Sequence, residues 1–442
     1  MTETTVIDAI CGAGKTSYAI QMMNESYQQG LEIVEGFGED SYIDRSDKFI
    51  YVTPFLDETE RVKRETNIDI ITPMNKPTKS KHVDMLVKYG HNIAMTHELF
   101  AKLSISTLKE IESQGYTLIM DEVANVLQQA NISKKDVEVL VNSGLIEIKE
   151  KGKVDWIDED YNSTECDGQR FNRFNDIKTL AEKDNLYMQN GTAMFWVMDV
   201  QSFYSFNEVY ILTYLFDGQI QKYYYDMHDL DYIKKSVTKQ NDKYILIEYD
   251  KLKENREDIN QLLNIYEDGI TSSGRKSCLN SNFVDKITHW DLSSGWLEKA
   301  SKEQIEQIKR NLYTYFRRHH DTPNKKLFWT TTKSAAENIK NKKTTYNKNN
   351  DRAKDNFLPL NARATNEYRN RTAVAYVYNR FMNPMEKSFF YSRGVSVNED
   401  MLAQSDLIQF LFRGCIRNNE TMNCYIPSKR MRELLYDWLE YK

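Results

Sequence analysis

The sequence predicts an α/β protein built of two tandem layered units, the first carrying a small insertion. Three observations predict this: short apolar, strand-like runs alternate with amphipathic helical stretches; a glycine-bearing loop joins the first such run to a helix; and the alternation restarts near the middle of the chain. At 442 residues the chain is longer than one core usually supports, so more than one domain is expected.

In the first unit, candidate strands occupy residues 4–10, 48–53, 68–72, 92–96, 117–120 and 209–213, with helices between most of them, as at 15–29 and 57–65. That order is typical of a parallel sheet wrapped by helices. Residues 133–188 break the pattern and read as an insertion: 145–157 alternates like a hairpin, and 158–173 is polar. Its Arg170, Phe171, Arg173 and Phe174 suit contact with nucleic acid, where cations track phosphates and rings stack on bases. A surface helix with two buried rings explains them more simply.

The first unit is therefore expected over 1–132 and 189–240, and the second over 241–442. In the second, 244–249, 325–330, 372–378 and 422–426 read as strands, and 251–266, 296–319, 333–341, 401–417 and 428–440 as helices. The Asn/Lys-rich segment 341–350 reads as an exposed loop.

Composition narrows the function. A net charge of −6 gives no global basic field, so any contact with nucleic acid must be confined to a groove. Cys11, Cys166, Cys278, Cys415 and Cys424 include no C-x-x-C pair, which argues against zinc or redox sites and for a reducing cytosol. No apolar run approaches a membrane span, and the N-terminus turns directly into a motif, leaving no room for a signal peptide. A soluble cytoplasmic protein is expected.

Ala9-Ile10-Cys11-Gly12-Ala13-Gly14-Lys15-Thr16 satisfies a relaxed phosphate-loop pattern, with Ala for the first Gly, between an apolar strand and a helix. Gly12, Ala13 and Gly14 would let the backbone curl around a phosphate, and the helix start through Ser17 favours an anion. Lys15 would reach the β- and γ-phosphates, and Thr16 would ligate Mg²⁺. The same string without this context would be a glycine turn.

Residues 116–120 form an apolar run ending in Asp121-Glu122. Asp121 would hold Mg²⁺ through water, and Glu122 would orient or deprotonate the attacking water. On a surface such a pair is usually a solvated cap; at the end of a buried strand, roughly one hundred residues after a phosphate loop, it reads as the partner site. ATP and Mg²⁺ are the expected cofactors.

Asp121-Glu122-Val123-Ala124 resembles the Asp-Glu-x-x box of superfamily 2 helicases, and other segments fall in that family's order. Tyr51-Val52-Thr53-Pro54 is similar to motif Ia and Met95-Thr96-His97 to a later motif, both of which grip one nucleic-acid strand in the family. Ile211-Leu212-Thr213-Tyr214 stands at motif III, where only Thr213 matches well, and Phe328-Trp329-Thr330-Thr331 resembles motif IV. Asn361-Ala362-Arg363-Ala364-Thr365-Asn366 looks like a motif V, which would add Thr365 to the nucleic-acid contacts.

Gln409 through Arg417 is similar to motif VI, with Arg413 four residues after Gln409 and Arg417 four after that, where the family has three. On one helix, i and i+4 still share a face, so both guanidinium groups would act as arginine fingers on the γ-phosphate. Which one is principal stays open, and an ordinary solvated helix face is the alternative.

The resemblance covers residues 4–130, 190–216 and 325–440, and is closer to phage- or plasmid-type enzymes than to the cellular Asp-Glu-Ala-Asp proteins. It implies two RecA-like domains around ATP in a monomer that moves along DNA rather than RNA, beside replication or recombination proteins in a host cytoplasm. A terminase-like packaging ATPase and a non-catalytic, ATP-gated nucleic-acid clamp stand as alternatives.

Other features have plainer explanations. Arg317, Arg318, His319 and His320 suit a helix C-terminus as well as phosphate. Tyr223-Tyr224-Tyr225 suits packing better than base stacking.

Overall fold

The computed structural model describes residues 2–35, 46–54, 56–157, 164–166, 169–171, 174–270, 274–340, 356–360 and 367–442, with 31–35, 164–166 and 169–171 as backbone alone. Thr365 with the rest of 361–366, Arg173, the side chains of Arg170 and Phe171, and the 341–350 segment lie outside the described residues.

Five strands come first: β1 (Glu3–Asp8), β2 (Phe49–Thr53), β3 (Ile70–Ile71), β4 (Asn92–Thr96) and β5 (Thr117–Asp121). An inserted unit follows with β6 (Leu127–Gln129), β7 (Ile146–Ile148), β8 (Val154–Trp156), β9 (Thr164–Cys166), β10 (Gln169–Phe171), β11 (Leu186–Gln189) and β12 (Ala193–Val197). The chain then returns with β13 (Glu208–Thr213), β14 (Ile233–Gln240) and β15 (Lys243–Glu248). The first sheet has eight strands in the order β15-β14-β1-β13-β5-β2-β4-β3, parallel apart from β15.

Its central strands are apolar on both faces because helices cover both. With a side-chain period of two, neighbours alternate between two cores. Val6, Ile50, Val52, Leu118, Met120 and Ile211 enter one, and Ile7, Tyr51, Ala94, Ile119 and Leu212 the other.

Two expected boundaries move. Residues 244–249, expected to open the second unit, are β15 at the edge of the first sheet, paired antiparallel with β14. The inserted unit is wider than 133–188: its sheet β11-β12-β6 starts at Leu127 and ends at Val197. Its expected hairpin is β7–β8, and it has its own core of Val137, Leu140, Ile146, Val154, Ile177, Leu186 and Met194. Phe174 is buried in that core, but the surface helix expected for its segment is not there: 169–171 form β10, and the Phe171 side chain lies outside the described residues.

The second unit opens with helix Arg256–Leu262 and β16 (Leu263–Ile265), where one helix over 251–266 was expected, and continues through the short β17 (Gly269–Ile270) and β18 (Lys276–Ser277). Then come β19 (Leu327–Thr330), β20 (Ala373–Tyr376) and β21 (Met422–Tyr425). Its four-stranded parallel sheet runs β16-β21-β20-β19. The expected helix 296–319 is three pieces, Ser294–Lys299, Lys302–Tyr313 and a π-helical turn Thr314–His319, the second started by a capping box from Ser301.

The units exchange parts. Tyr214 and Leu215, just after β13, sit in the second unit's core. In return, Met382, Phe389, Phe390, Val395, Val397 and Leu402 join a core of the first. Tyr223, Tyr224 and Tyr225 are buried on helix Ile220–Met227, so they pack rather than stack on bases. Among the described residues, no helix is long and apolar enough to cross a membrane.

Candidate nucleotide site

The loop after β1 turns through Gly12 (φ +91°) and Gly14 (φ +100°) into helix Lys15–Glu35. At Gly14 the requirement is double, since a Cβ there would lie 2.1 Å from the Tyr244 ring. The first amides of the helix, at Lys15, Thr16 and Ser17, have no acceptor within it and form an anion-favouring end. The Lys15 ammonium folds back onto the carbonyls of Ala9 and Ile10, the latter at 3.2 Å.

Register levels three strand ends: Asp8 pairs with Thr213, and Leu212 with Asp121. Asp121 therefore faces the loop, with β13 between their strands. The Thr16 hydroxyl donates to Asp121 Oδ2 at 3.4 Å, and the Tyr51 hydroxyl donates to the same oxygen at 2.8 Å. His97 Nε2 lies 3.1 Å from the Asp121 backbone oxygen. Burial, then the charge of Glu122, pushes the Asp121 carboxyl up to about 7, against the pull of Tyr51 and Lys15.

A cation beside Asp121 would favour its ionised form. Mg²⁺ usually takes one or two protein oxygens together with waters and substrate phosphates, so the Thr16–Asp121 pair fits it. Among the described residues there is no group of three or more His, Cys, Asp or Glu arranged for a metal, which such a site does not need.

Glu122 takes the left-handed conformation (φ +68°), its N–H donating to Leu212 O at 3.0 Å. It lines a cavity of about 350 Å³ together with Gln219, Arg380, Asp406, Gln409 and Arg413. One wall thus belongs to the first unit and the other to the second. Arg380 closes the far side through an ion pair with Asp406 at 2.6 Å.

The expected shared helix face for Arg413 and Arg417 is not there. Helix Glu399–Leu411 is capped by Phe412, and Arg417 lies in a separate 3-10 turn, Cys415–Asn418. The chain leaves the helix where Gly414 packs so closely that a Cβ would meet Met422 Sδ at 2.5 Å and the Phe328 ring. Arg413 is buried in the cleft wall, and Arg417 is exposed and outside it. Gln409 donates to Tyr214 O at 3.2 Å, tying this helix to the loop after β13.

The residues expected to grip nucleic acid are scattered. Thr53 and Thr330 are wholly buried, which removes their hydroxyls from any strand on the surface. Pro54 is half-buried. Thr96 uses its hydroxyl to cap helix His97–Phe100. His97 alone among these described residues faces a large groove, about 770 Å³, between the first and inserted units, with Lys102, Gln128, Lys183 and Trp196.

Sequence reasoning missed several residues. Asp8, fully buried, accepts from the N–H groups of Leu215 (2.8 Å) and Phe216 (3.0 Å). Burial raises its pKa while Lys234, 3.7 Å away, lowers it. A lone acid ending an apolar strand was a readable signal. The Tyr214 hydroxyl donates to Glu254 at 2.7 Å and accepts from Trp438 Nε1 at 2.9 Å, contacts with no local signature.

Residues 257–439 match a family model described as the YonV C-terminal Rossmann-like domain, and 127–196 one described as the YonV middle domain. The chain is 34% identical over 449 residues to the SPbeta prophage-derived uncharacterized protein YonV of Bacillus subtilis (strain 168), covering 100% of this chain and 99% of that one. Among solved structures, one described as "Structure of S. tokodaii Xpd4" is similar at 13% identity and TM-score 0.47, over 98% of this chain and 94% of that one. Another, "XPD_APO", is similar at 11% identity and TM-score 0.42, over 100% and 95%.

Proposed function

The chain belongs to the YonV family, and from that premise we propose that it is an ATP-hydrolysing translocase or helicase of the superfamily 2 type, acting on DNA. The observation that carries this is the shared cavity lined by Glu122 of the first unit and by Gln409 and Arg413 of the second; Glu122 follows Asp121, whose Oδ2 accepts from Thr16 of the phosphate loop at 3.4 Å.

ATP is the substrate. Gly12, Ala13, Gly14 and the amides through Ser17 cradle its phosphates, and Lys15 leaves the loop carbonyls to neutralise them. Mg²⁺, when bound, supplies charge neutralisation and orientation of the phosphates, with Thr16 and Asp121 as its protein contacts. Glu122 orients and deprotonates the attacking water. Arg413 is the principal arginine finger, since it is buried in the cleft wall while Arg417 is exposed and does not line the cleft.

Gln409 reports cleft closure to the Tyr214 loop, and His97 links the Asp121 backbone to the groove under the inserted unit. Nucleotide and single strand would thereby bias one conformational equilibrium from two sides. The relative's prophage origin supports DNA in replication or recombination, in a host cytoplasm.

The test is ATP turnover by the full chain with single-stranded DNA, duplex DNA and RNA, beside Lys15→Ala. Stimulation by DNA and its loss in the variant are expected. Turnover that ignores the loss of Lys15 would remove the mechanism.

A further inference from the structure

We infer that Gln219 and Gln221, which no motif singles out, are positioning residues that set Glu122 against the second unit's wall of the cleft. This rests on the ATPase reading above and deepens it.

Gln221 is fully buried at the start of helix Ile220–Met227. Its Oε1 accepts from the Ala124 N–H at 2.7 Å, and its Nε2 lies 3.9 Å from Met120 Sδ. Glu122 is therefore held from both ends: its own N–H on Leu212 O at 3.0 Å, and the backbone two residues later on Gln221. A left-handed conformation in a residue with a side chain persists only where its surroundings over-determine it. Gln221 supplies one of those two anchors, so it decides where the Glu122 carboxylate points.

Gln219, two residues earlier, faces the other unit. Its Oε1 accepts the Thr213 hydroxyl at 2.9 Å, and its Nε2 donates to Tyr214 O at 2.8 Å and reaches Ser405 Oγ at 3.4 Å. Gln409 donates to the same two oxygens, Tyr214 O at 3.2 Å and Ser405 Oγ at 3.1 Å. Two glutamines from different units thus share one pair of acceptors, at the helix whose end leads to Arg413. A backbone stretch of three residues, Gln219-Ile220-Gln221, joins the loop bearing the general base to the helix whose end leads to the finger. Tilting that helix changes the bonds available to Gln219, and the change passes through Gln221 to Glu122.

The experiment is steady-state ATP turnover by the full chain for Gln221→Met, Gln221→Glu and Gln219→Met, with thermal denaturation and affinity for a non-hydrolysable ATP analogue measured in parallel. Methionine keeps the bulk and removes the acceptor. Glutamate, held neutral by burial, keeps the carbonyl. Gln221→Met should lower kcat by about 10- to 100-fold with KM for ATP and analogue affinity unchanged, and Gln221→Glu should recover most of that rate. Gln219→Met should lower kcat and lose stimulation by DNA.

An unchanged kcat in Gln221→Met, or an equal loss in Gln221→Glu, would overturn the inference. Should Gln221→Met fail to fold, Gln219→Met decides alone, and its unchanged kcat and stimulation overturn it. Turnover that depends on Lys15 but ignores both glutamines sinks this inference only; no Lys15-dependent turnover at all sinks the nucleotide reading beneath it.

Discussion

Asparagine at position 121 removes one titratable proton from the site, and the effect is readable in the stability of protein free of nucleotide and divalent cations. Burial and Glu122 raise the Asp121 carboxyl from 3.8 to about 7. Between those values the folded chain binds a proton that the unfolded chain has released. Stability therefore falls as pH rises from about 4 to about 7 and is level above that window. At about 1.36 kcal/mol for each pH unit, the loss is at most about 4 kcal/mol, and partial exposure of the group makes it smaller. Urea denaturation in EDTA at several pH values from about 5 to 8, for wild type and Asp121→Asn, measures it. The wild type should lose stability through the window, and the variant should show a flatter profile with higher stability at neutral pH. Equal slopes in the two proteins would refute the reasoning.

Other outcomes follow from the same geometry. Arg413→Ala should cost about 10³-fold in ATP turnover with nucleotide binding kept, whereas Arg417→Ala should have a small effect; comparing kcat with analogue affinity separates them. Tyr214→Phe leaves Glu254 and the Trp438 indole each short of a partner, and should destabilise the chain by about 1–3 kcal/mol in chemical denaturation. Gly14→Ala combines an unfavourable φ with overlap of the Tyr244 ring, so nucleotide affinity should fall sharply; affinity equal to wild type would contradict the loop geometry.

The strands that lead into the Gly12–Gly14 turn and into Asp121-Glu122 were legible because each is buried along most of its length, so that an unbroken apolar run marks it and its polar end stands out as a candidate site. β14 was missed because Ile233–Gln240 is mostly half-exposed and carries three lysines, so it lacks that run. With β14 unseen, β15 had no neighbour in the first unit and was assigned to the second. The inserted unit was cut short because β6 is only Leu-Gln-Gln, too brief and polar to stand out. The helix over 401–417 was overextended because its break depends on Gly414 meeting Met422 and Phe328, a contact set by tertiary packing. Gln221 acts through a partner 97 positions away, beyond any local pattern, whereas Asp8, a lone acid ending an apolar strand, left a signal that could have been read.

Tyr214 lodged in its neighbour's interior, with Phe389 and Phe390 lodged in return, makes the two halves a single folding entity. Cutting the chain at the junction would strand aromatic rings in water on both products, so neither is expected to be well behaved by itself. The same interlocking opposes wide separation of the two units. If the proposed function holds, the motion compatible with these contacts is a small one, and the stroke on the strand for each ATP is short.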